Sequence, residues 1–370
     1  MPSASRFRLL PGLLVLIAAG LAAGAAPASA RAAAHHAAAE RTAHAPSKKK
    51  KRVAHKTKPV HRSMPADAPS TKLSGSKRRT KRAKPRPGSP PAQQHVTHAA
   101  QVSANSAHAP RLLARCGFTP ASRRQLFSHA IYVVDENTHT PLYARNADTV
   151  APIASVSKLM TAIVWLDSPH APLQQRLLVT TADLDTLKFT HSRLGVGASL
   201  TRADMLHVAL MSSENRAASA LSRDYPGGQP AFIAAMNAKA QRLGMTHTRF
   251  VNATGLSPQN VSTARELASL VRAANGYPLI RRYSIDHQER VPTGHGQLQY
   301  VNSNRLVRYG QVRASVQKTG FINESGHNMV MRVMVHGRRP AIVTLLGSAT
   351  PEGSRLDGVR IAHWLSCSLR

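Results

Sequence analysis

The chain is short of cysteine, of acidic residues and of aromatics, and each shortage excludes something. Of its 370 residues only Cys116 and Cys367 are cysteines. No cysteine cluster can therefore hold a structural metal, and none near the N-terminal apolar segment can carry a lipid anchor. Seventeen Asp and Glu stand against 50 Lys and Arg, a formal net charge of +33, so any partner recruited by the overall field is anionic. Aromatics make up 4% of the chain, and none falls in residues 31–110. That stretch carries 18 Lys and Arg against 2 acidic residues, net +16, clustered at Lys48 to Arg52 and Lys77 to Arg86. It cannot bury enough apolar surface to offset its chain entropy, and is predicted to be disordered. Its eight histidines (His35, His36, His44, His55, His61, His95, His98, His108) have irregular gaps and no cysteine partners, so they read as solvated charge rather than a metal site, and no cofactor is expected.

The prominent N-terminal apolar run, Leu9 to Ala26, follows Arg6 and Arg8 and precedes Pro27-Ala28-Ser29-Ala30. This is the pattern of a secretory signal peptide over residues 1–30, cleaved after Ala30, and the expected location is the periplasm. In a cytosolic protein the Lys48 to Arg52 cluster would suggest nucleic acid. Behind an export signal it reads instead as a tether to an anionic envelope polymer, with no nucleic acid expected.

Three short strings carry the chemistry: Ser155-Val156-Ser157-Lys158, Ser213-Glu214-Asn215 and Lys318-Thr319-Gly320, in that order. Each alone is common; their order and context are not. Ser155 opens a segment, Lys158 to Leu166, whose apolar positions recur at helical spacing until Asp167-Ser168-Pro169, which puts Ser155 in a helix's first turn. Residues three apart share a helix face, so Lys158 can reach the Ser155 hydroxyl. A lysine acting as a base needs its pKa lowered by burial or by a second cation, for which Lys318 is the obvious choice. Ser213 and Asn215 lie between two apolar helical stretches, with Glu214 and Arg216 suggesting a short exposed link at a cleft edge. In this reading Ser213 relays a proton to the leaving amine and Asn215 holds the substrate backbone; the plainer alternative is that Ser213 caps a helix beginning near Asn215. Lys318-Thr319-Gly320 closes an alternating run from Val312, read as an edge strand that pairs with a peptide while Lys318 and Thr319 hold a carboxylate and Gly320 allows close approach. The backbone N–H groups of Ser155 and Phe321 are the expected oxyanion donors.

This set resembles the serine D-alanyl-D-alanine carboxypeptidases and endopeptidases, the low-molecular-weight penicillin-binding proteins. The similarity runs from about residue 128 to 350 and includes Pro152 to Ala162, Leu210 to Ala218, Tyr225-Pro226-Gly227-Gly228, Met236 to Ala240, Thr254-Gly255-Leu256-Ser257, Asn260 to Ala264 and Lys318 to Glu324. It implies an acyl-enzyme on Ser155, peptidoglycan stem peptides as substrate and β-lactams as covalent inhibitors. The endopeptidase branch fits best. The chain ends soon after the catalytic part, where carboxypeptidases usually continue into a second β-rich domain. Moreover, Gly347-Ser348-Ala349 stands where many of them carry a carboxylate-binding arginine. Class A β-lactamases share the three motifs, but their deacylating glutamate sits in a Glu-x-x-Leu-Asn setting that none of Asp224, Glu266, Asp286 or Glu289 matches. Glu266 instead reads as part of a capping box with Thr263. A non-catalytic envelope-binding protein is the remaining alternative, and against it no motif residue is missing.

The expected catalytic domain, residues 111–370, is α+β: strands at Ala130 to Asp135 and Leu142 to Arg145, then mostly helices, then strands near Val312 to Lys318, Asn328 to Val335 and Ala341 to Leu346, with a hairpin at Gly337-Arg338-Arg339. That order suggests an antiparallel sheet flanked by helices, with a helical subdomain carrying Ser213, which is the penicillin-binding-protein and β-lactamase fold. Cys116 and Cys367 flank the domain in an exported chain, so a disulfide between them is expected, clipping the entering segment to a C-terminal helix around Val359 to Leu365.

Overall fold

The computed structural model describes residues 109–168 and 172–370; the expected signal peptide and nearly all of the basic stretch, residues 1–108, lie outside the described residues. Five strands form the main sheet: β1 (Ala130–Asp135), β2 (Pro141–Arg145), β3 (Ala314–Ile322), β4 (Gly326–Val335) and β5 (Arg339–Ser348). Their order is β2-β1-β5-β4-β3, antiparallel throughout. The chain's first and last strands thus meet at the sheet centre, where Ala130 pairs with Leu346 and Asp135 with Ala341.

β1 is an unbroken apolar run because both of its faces are covered. Ile131 and Val133 enter one core with Met331, Val343, Ile361 and Trp364, while Ala130, Tyr132 and Val134 enter the other with Val330, Ile342 and the helices. Period-2 alternation assigns one strand to two cores. The single charged residue of β1, Asp135, is fully buried and is satisfied by Thr138 and by Arg339 Nε at 2.6 Å. The β4–β5 hairpin turns at His336 and Gly337, both with positive φ.

Helices α1 (Lys158–Leu166), α2 (Arg202–Met211), α3 (Asn215–Asp224), α4 (Gly228–Arg242), α5 (Ala264–Asn275) and α6 (Pro278–Ile285) make up the middle of the chain, and α7 (Pro351–Ser368) closes it. Every residue of α1 from Lys158 to Trp165 is buried, because α2 to α6 surround it. A helix apolar all round belongs in a core. The last helix begins earlier than expected, at Pro351, because Thr350 caps it through the Gly353 N–H. Cys116 and Cys367 are bonded, their Cα atoms 5.5 Å apart, and tie the entering turn to the end of α7. Beside them Phe118 packs edge-on against Trp364 at 5.2 Å and Tyr143 at 5.4 Å.

Two local expectations are corrected. The third motif does not close its strand: β3 continues to Ile322, which pairs with Gly326, so Lys318-Thr319-Gly320 lies mid-strand on the sheet's edge. Glu266 does not complete a capping box. Thr263 accepts from the Glu266 N–H at 3.1 Å, but the Glu266 carboxylate reaches the His247 N–H at 2.9 Å and Thr248 Oγ1 at 2.6 Å, pinning the loop before Phe250. Among the described residues no helix is long and apolar enough to cross a membrane.

Candidate active site

Ser155 lies in a 3-10 turn, Ala154–Ser157, that feeds into α1 at Lys158. In such a turn residues i and i+3 eclipse, and Lys158 Nζ stands 2.8 Å from Ser155 Oγ. The turn is held from three sides. Asn260, fully buried, donates to Ser157 Oγ at 3.0 Å, and its backbone oxygen accepts from the Ile153 N–H at 3.0 Å. Gly255, at φ +80°, passes so close that a Cβ there would lie 2.0 Å from the Ala154 carbonyl oxygen. Gly320 of β3 does the same from the other side, where a Cβ would come within 2.9 Å of the Ser155 nitrogen and 3.0 Å of the Ile153 oxygen. Ala154 itself is forced to φ +49°, and Ser213 to φ +67°. Non-glycine residues in the left-handed region cost energy and persist where packing over-determines them.

Lys158 is 1% exposed and makes three contacts: Ser155 Oγ, Asn215 Oδ1 at 2.8 Å and the Thr254 carbonyl at 2.6 Å. Burial lowers its pKa to about 7, against an opposing pull from the Glu214 carboxylate. Lys318 is likewise buried, and its pKa is held well below the ordinary lysine value by burial first and by Lys158 second. Of the two influences considered for Lys158, burial or a second cation, burial is the one that lowers it, and burial is also the first cause at Lys318.

The cleft, about 310 Å³, brings Ser155, Ser213, Asn215, Thr319, Gly320 and Phe321 to one surface. Thr319 Oγ1 meets Ser303 Oγ at 2.7 Å, and the Phe321 ring stacks on His327 with centroids 4.3 Å apart. The link expected to be exposed is not: Glu214 is buried, accepts from Ser192 Oγ at 2.6 Å and caps α3 through the Arg216 N–H. The cap at α3 is thus Glu214, and Ser213 is left facing the cleft. Asn215 Nδ2 donates to Thr190 Oγ1 at 3.0 Å, on a loop that Asp185 organises by accepting from the N–H groups of Leu187, Lys188 and Thr190. Thr190, the Thr254 carbonyl, Gly255 and Asn260 are site residues without an assigned role in the sequence reading. Of these, Thr254, Gly255 and Asn260 fall within the stretches that carried the family likeness. Among the described residues no cluster of three or more His, Cys, Asp or Glu side chains could hold a metal.

A sequence profile of peptidase family S11, described as D-alanyl-D-alanine carboxypeptidase, matches residues 118–350. The chain belongs to this family. Two relatives are named D-alanyl-D-alanine endopeptidase. That of Pseudomonas aeruginosa is 43% identical over 245 residues, covering 66% of this chain and 78% of its own. That of Escherichia coli is 43% identical over 240 residues, covering 64% and 77%. Among solved structures, the Streptomyces K15 DD-transpeptidase superimposes with a TM-score of 0.60 at 25% identity, covering 65% of this chain and 97% of that one. This S11 peptidase is thus a serine D-alanyl-D-alanine peptidase, a hydrolase, with the α+β penicillin-binding-protein fold the sequence implied. The family match begins at residue 118, ten residues before the likeness read from the motifs, because the segment around Phe118 packs on α7 and belongs to the same core.

Proposed function

We propose that this S11 peptidase cleaves D-alanyl bonds in peptidoglycan, with cross-links as its preferred substrate, through an acyl-enzyme on Ser155 that penicillin also forms. The observation that carries the reading is the environment of the Lys158 amine. Two of its three neighbours, the Asn215 amide oxygen and the Thr254 carbonyl, can only accept. A neutral amine has two N–H groups and one lone pair. With both N–H groups so engaged, the lone pair is left for the third neighbour, the Ser155 hydroxyl at 2.8 Å.

The steps follow. Lys158 takes the Ser155 proton as Oγ adds to the D-alanyl carbonyl, and the N–H groups of Ser155 and Phe321 receive the oxyanion. Collapse breaks the C–N bond, and the proton passes from Lys158, with Ser213 as relay, to the departing amine. Water then hydrolyses the ester. Asn215 and the edge of β3 hold the substrate backbone, while Lys318 and Thr319 hold a carboxylate; substrate carboxylate beside Lys318 favours protonation of that amine. The cross-link preference rests on the two relatives at 43% identity being named endopeptidases, whereas relatives named carboxypeptidases match at 30% or below.

A β-lactamase reading lacks a deacylating carboxylate. None of the four candidates lines the cleft beside Ser155: Glu266 is committed to the 247–248 loop, Asp224 to Arg202, Asp286 stands 3.0 Å from His207, and Glu289 lies in the strand Gln288–Pro292. Penicillin is therefore trapped rather than turned over. Ser155→Ala removes fluorescent-penicillin labelling of the folded protein, and digestion of purified sacculi by the wild type lowers the dimer-to-monomer ratio of muropeptides. Labelling that survives, or that moves to Ser157 or Ser213, refutes the assignment. We infer further that residues 1–30 act as an export signal to the periplasm and that the basic charge of residues 31–110 holds the enzyme to an anionic envelope polymer.

A further inference from the structure

The cleft around Ser155 does not end at Thr319. Past the Ser303–Thr319 contact it meets a second depression of about 430 Å³ and a third of about 240 Å³, and Arg305 lines all three. The second also contains Arg193 and Arg308, together with the buried Glu214, which is engaged by Ser192; Arg355 lines the third and the cleft itself. Arg355 is neutralised by Glu352 one turn away, but among the described residues no ion pair includes Arg193, Arg305 or Arg308. These three are held without being discharged. Arg193 lies over the Tyr300 ring at 5.4 Å, and Arg305 and Arg308 lie over Tyr309 at 5.9 and 5.3 Å. Arg193 also gives one N–H to the Gln299 carbonyl; an aromatic face orients a guanidinium while leaving its remaining N–H groups available. Arg305 and Arg308 share the one-turn helix Arg305–Arg308, which Asn304 caps and which is fixed by buried Leu306 and Val307. The cations are therefore preorganised. The Phe321–His327 stack, next to Gly320, also lines the cleft.

On the reading above, a carboxylate sits at Lys318 and Thr319, which directs the departing half of the substrate toward Arg305. In a carboxypeptidase that half is one amino acid and ends there. In a cross-link it is the side-chain amine of a diamino acid in a second stem peptide, which carries further carboxylates and needs a path out. We propose that the channel lined by Arg193, Arg305 and Arg308 receives that second stem peptide through its carboxylates. This deepens the endopeptidase reading and rests on it.

The test compares the full-length wild type with Arg305→Gln, Arg308→Gln and the double variant on three substrates: a pentapeptide losing D-Ala, a cross-linked dimer, and that dimer with every carboxylate of the leaving stem amidated except the one beside the scissile bond. The double variant raises KM for the dimer by about tenfold or more, as expected for loss of charge-assisted hydrogen bonds. Its kcat changes much less, and its kcat/KM falls at least about fivefold further on the dimer than on the pentapeptide. The wild type on the amidated dimer shows the variant's elevated KM, the two losses do not add, and Arg→Lys at both positions restores part of the preference. Equal losses on dimer and pentapeptide, or no effect of amidation on the wild type, overturn the channel alone. A wild type that takes penicillin on Ser155 and trims the pentapeptide but leaves the dimer uncut overturns the endopeptidase reading and the channel with it.

Discussion

If Lys158 removes the Ser155 proton as a neutral amine, acylation tracks the deprotonated fraction of one buried lysine. At its ordinary value of 10.5, about one lysine in three thousand is neutral at pH 7; at about 7, half are. Burial alone thus raises the active fraction more than a thousandfold at neutral pH, by the definition of a pKa. The second-order rate of acylation by fluorescent penicillin should climb with unit slope on a logarithmic scale below pH 7, increase about tenfold between pH 6 and 8, and level off above. The same group leaves a mark on stability. Below pH 7 both folded and unfolded chains hold the proton. Between 7 and 10.5 the unfolded chain binds a proton that the folded one does not, so stability rises with pH across that window. At about 1.36 kcal/mol per pH unit the rise from Lys158 amounts to about 5 kcal/mol, and Lys318, also depressed by burial, adds a rise of the same sign. Lys158→Met should lose at least about a hundredfold in acylation and flatten the stability profile by one proton. Acylation that is flat from pH 6 to 8, or that rises only toward pH 10, refutes the reasoning, as does an unchanged stability slope in Lys158→Met.

Gly320→Ala puts a methyl group 2.9 Å from the Ser155 nitrogen and 3.0 Å from the Ile153 oxygen; the displaced turn should cost about 1–3 kcal/mol in stability and slow acylation, and near-native acylation kinetics would show that the two backbones need not touch. The double variant Cys116→Ser/Cys367→Ser opens a bridge spanning 251 residues and should lose about 2–5 kcal/mol, read as a lower melting temperature with unaltered penicillin labelling at 20 °C; no shift, or both thiols free by mass spectrometry without reductant, rejects it. Deleting residues 31–110 should leave hydrolysis of a soluble peptide intact and weaken sedimentation with envelopes, with the intact protein's binding falling steeply as salt rises, since exposed charges are screened over about 8 Å at physiological ionic strength. Equal sedimentation of the two forms at low salt defeats the tether.

The strands were legible where burial is two-sided or alternation is strict. β1 has the predicted bounds, Ala130–Asp135, and the β4–β5 hairpin falls at the predicted glycine. The end of β3 was not legible, since a glycine within a strand reads as a stop unless its neighbour is known, and Gly320 is required by Ser155, a residue 165 positions away. Glu214 misled for a related reason. A charged residue beside an arginine suggests solvent, but this carboxylate is satisfied by Ser192, which lies 22 positions upstream, and by the start of its own helix. Local composition registers polarity and not the partners that make burial affordable.

The same distinction separates the visible half of the site from the hidden half. Ser155, Lys158, Ser213, Asn215 and Lys318 are side chains at fixed spacings, and spacing is a one-dimensional quantity. What sets the Lys158 proton affinity is instead enclosure: the Thr254 carbonyl, the Asn215 amide tied back to Thr190, and five helices packed around α1. Enclosure governs the second lysine as well. In the folded chain burial is the first cause that lowers both amines, and the repulsion between them adds to the lowering of Lys318. If, as proposed, a substrate carboxylate sits beside Lys318, it favours the protonated form that burial disfavours.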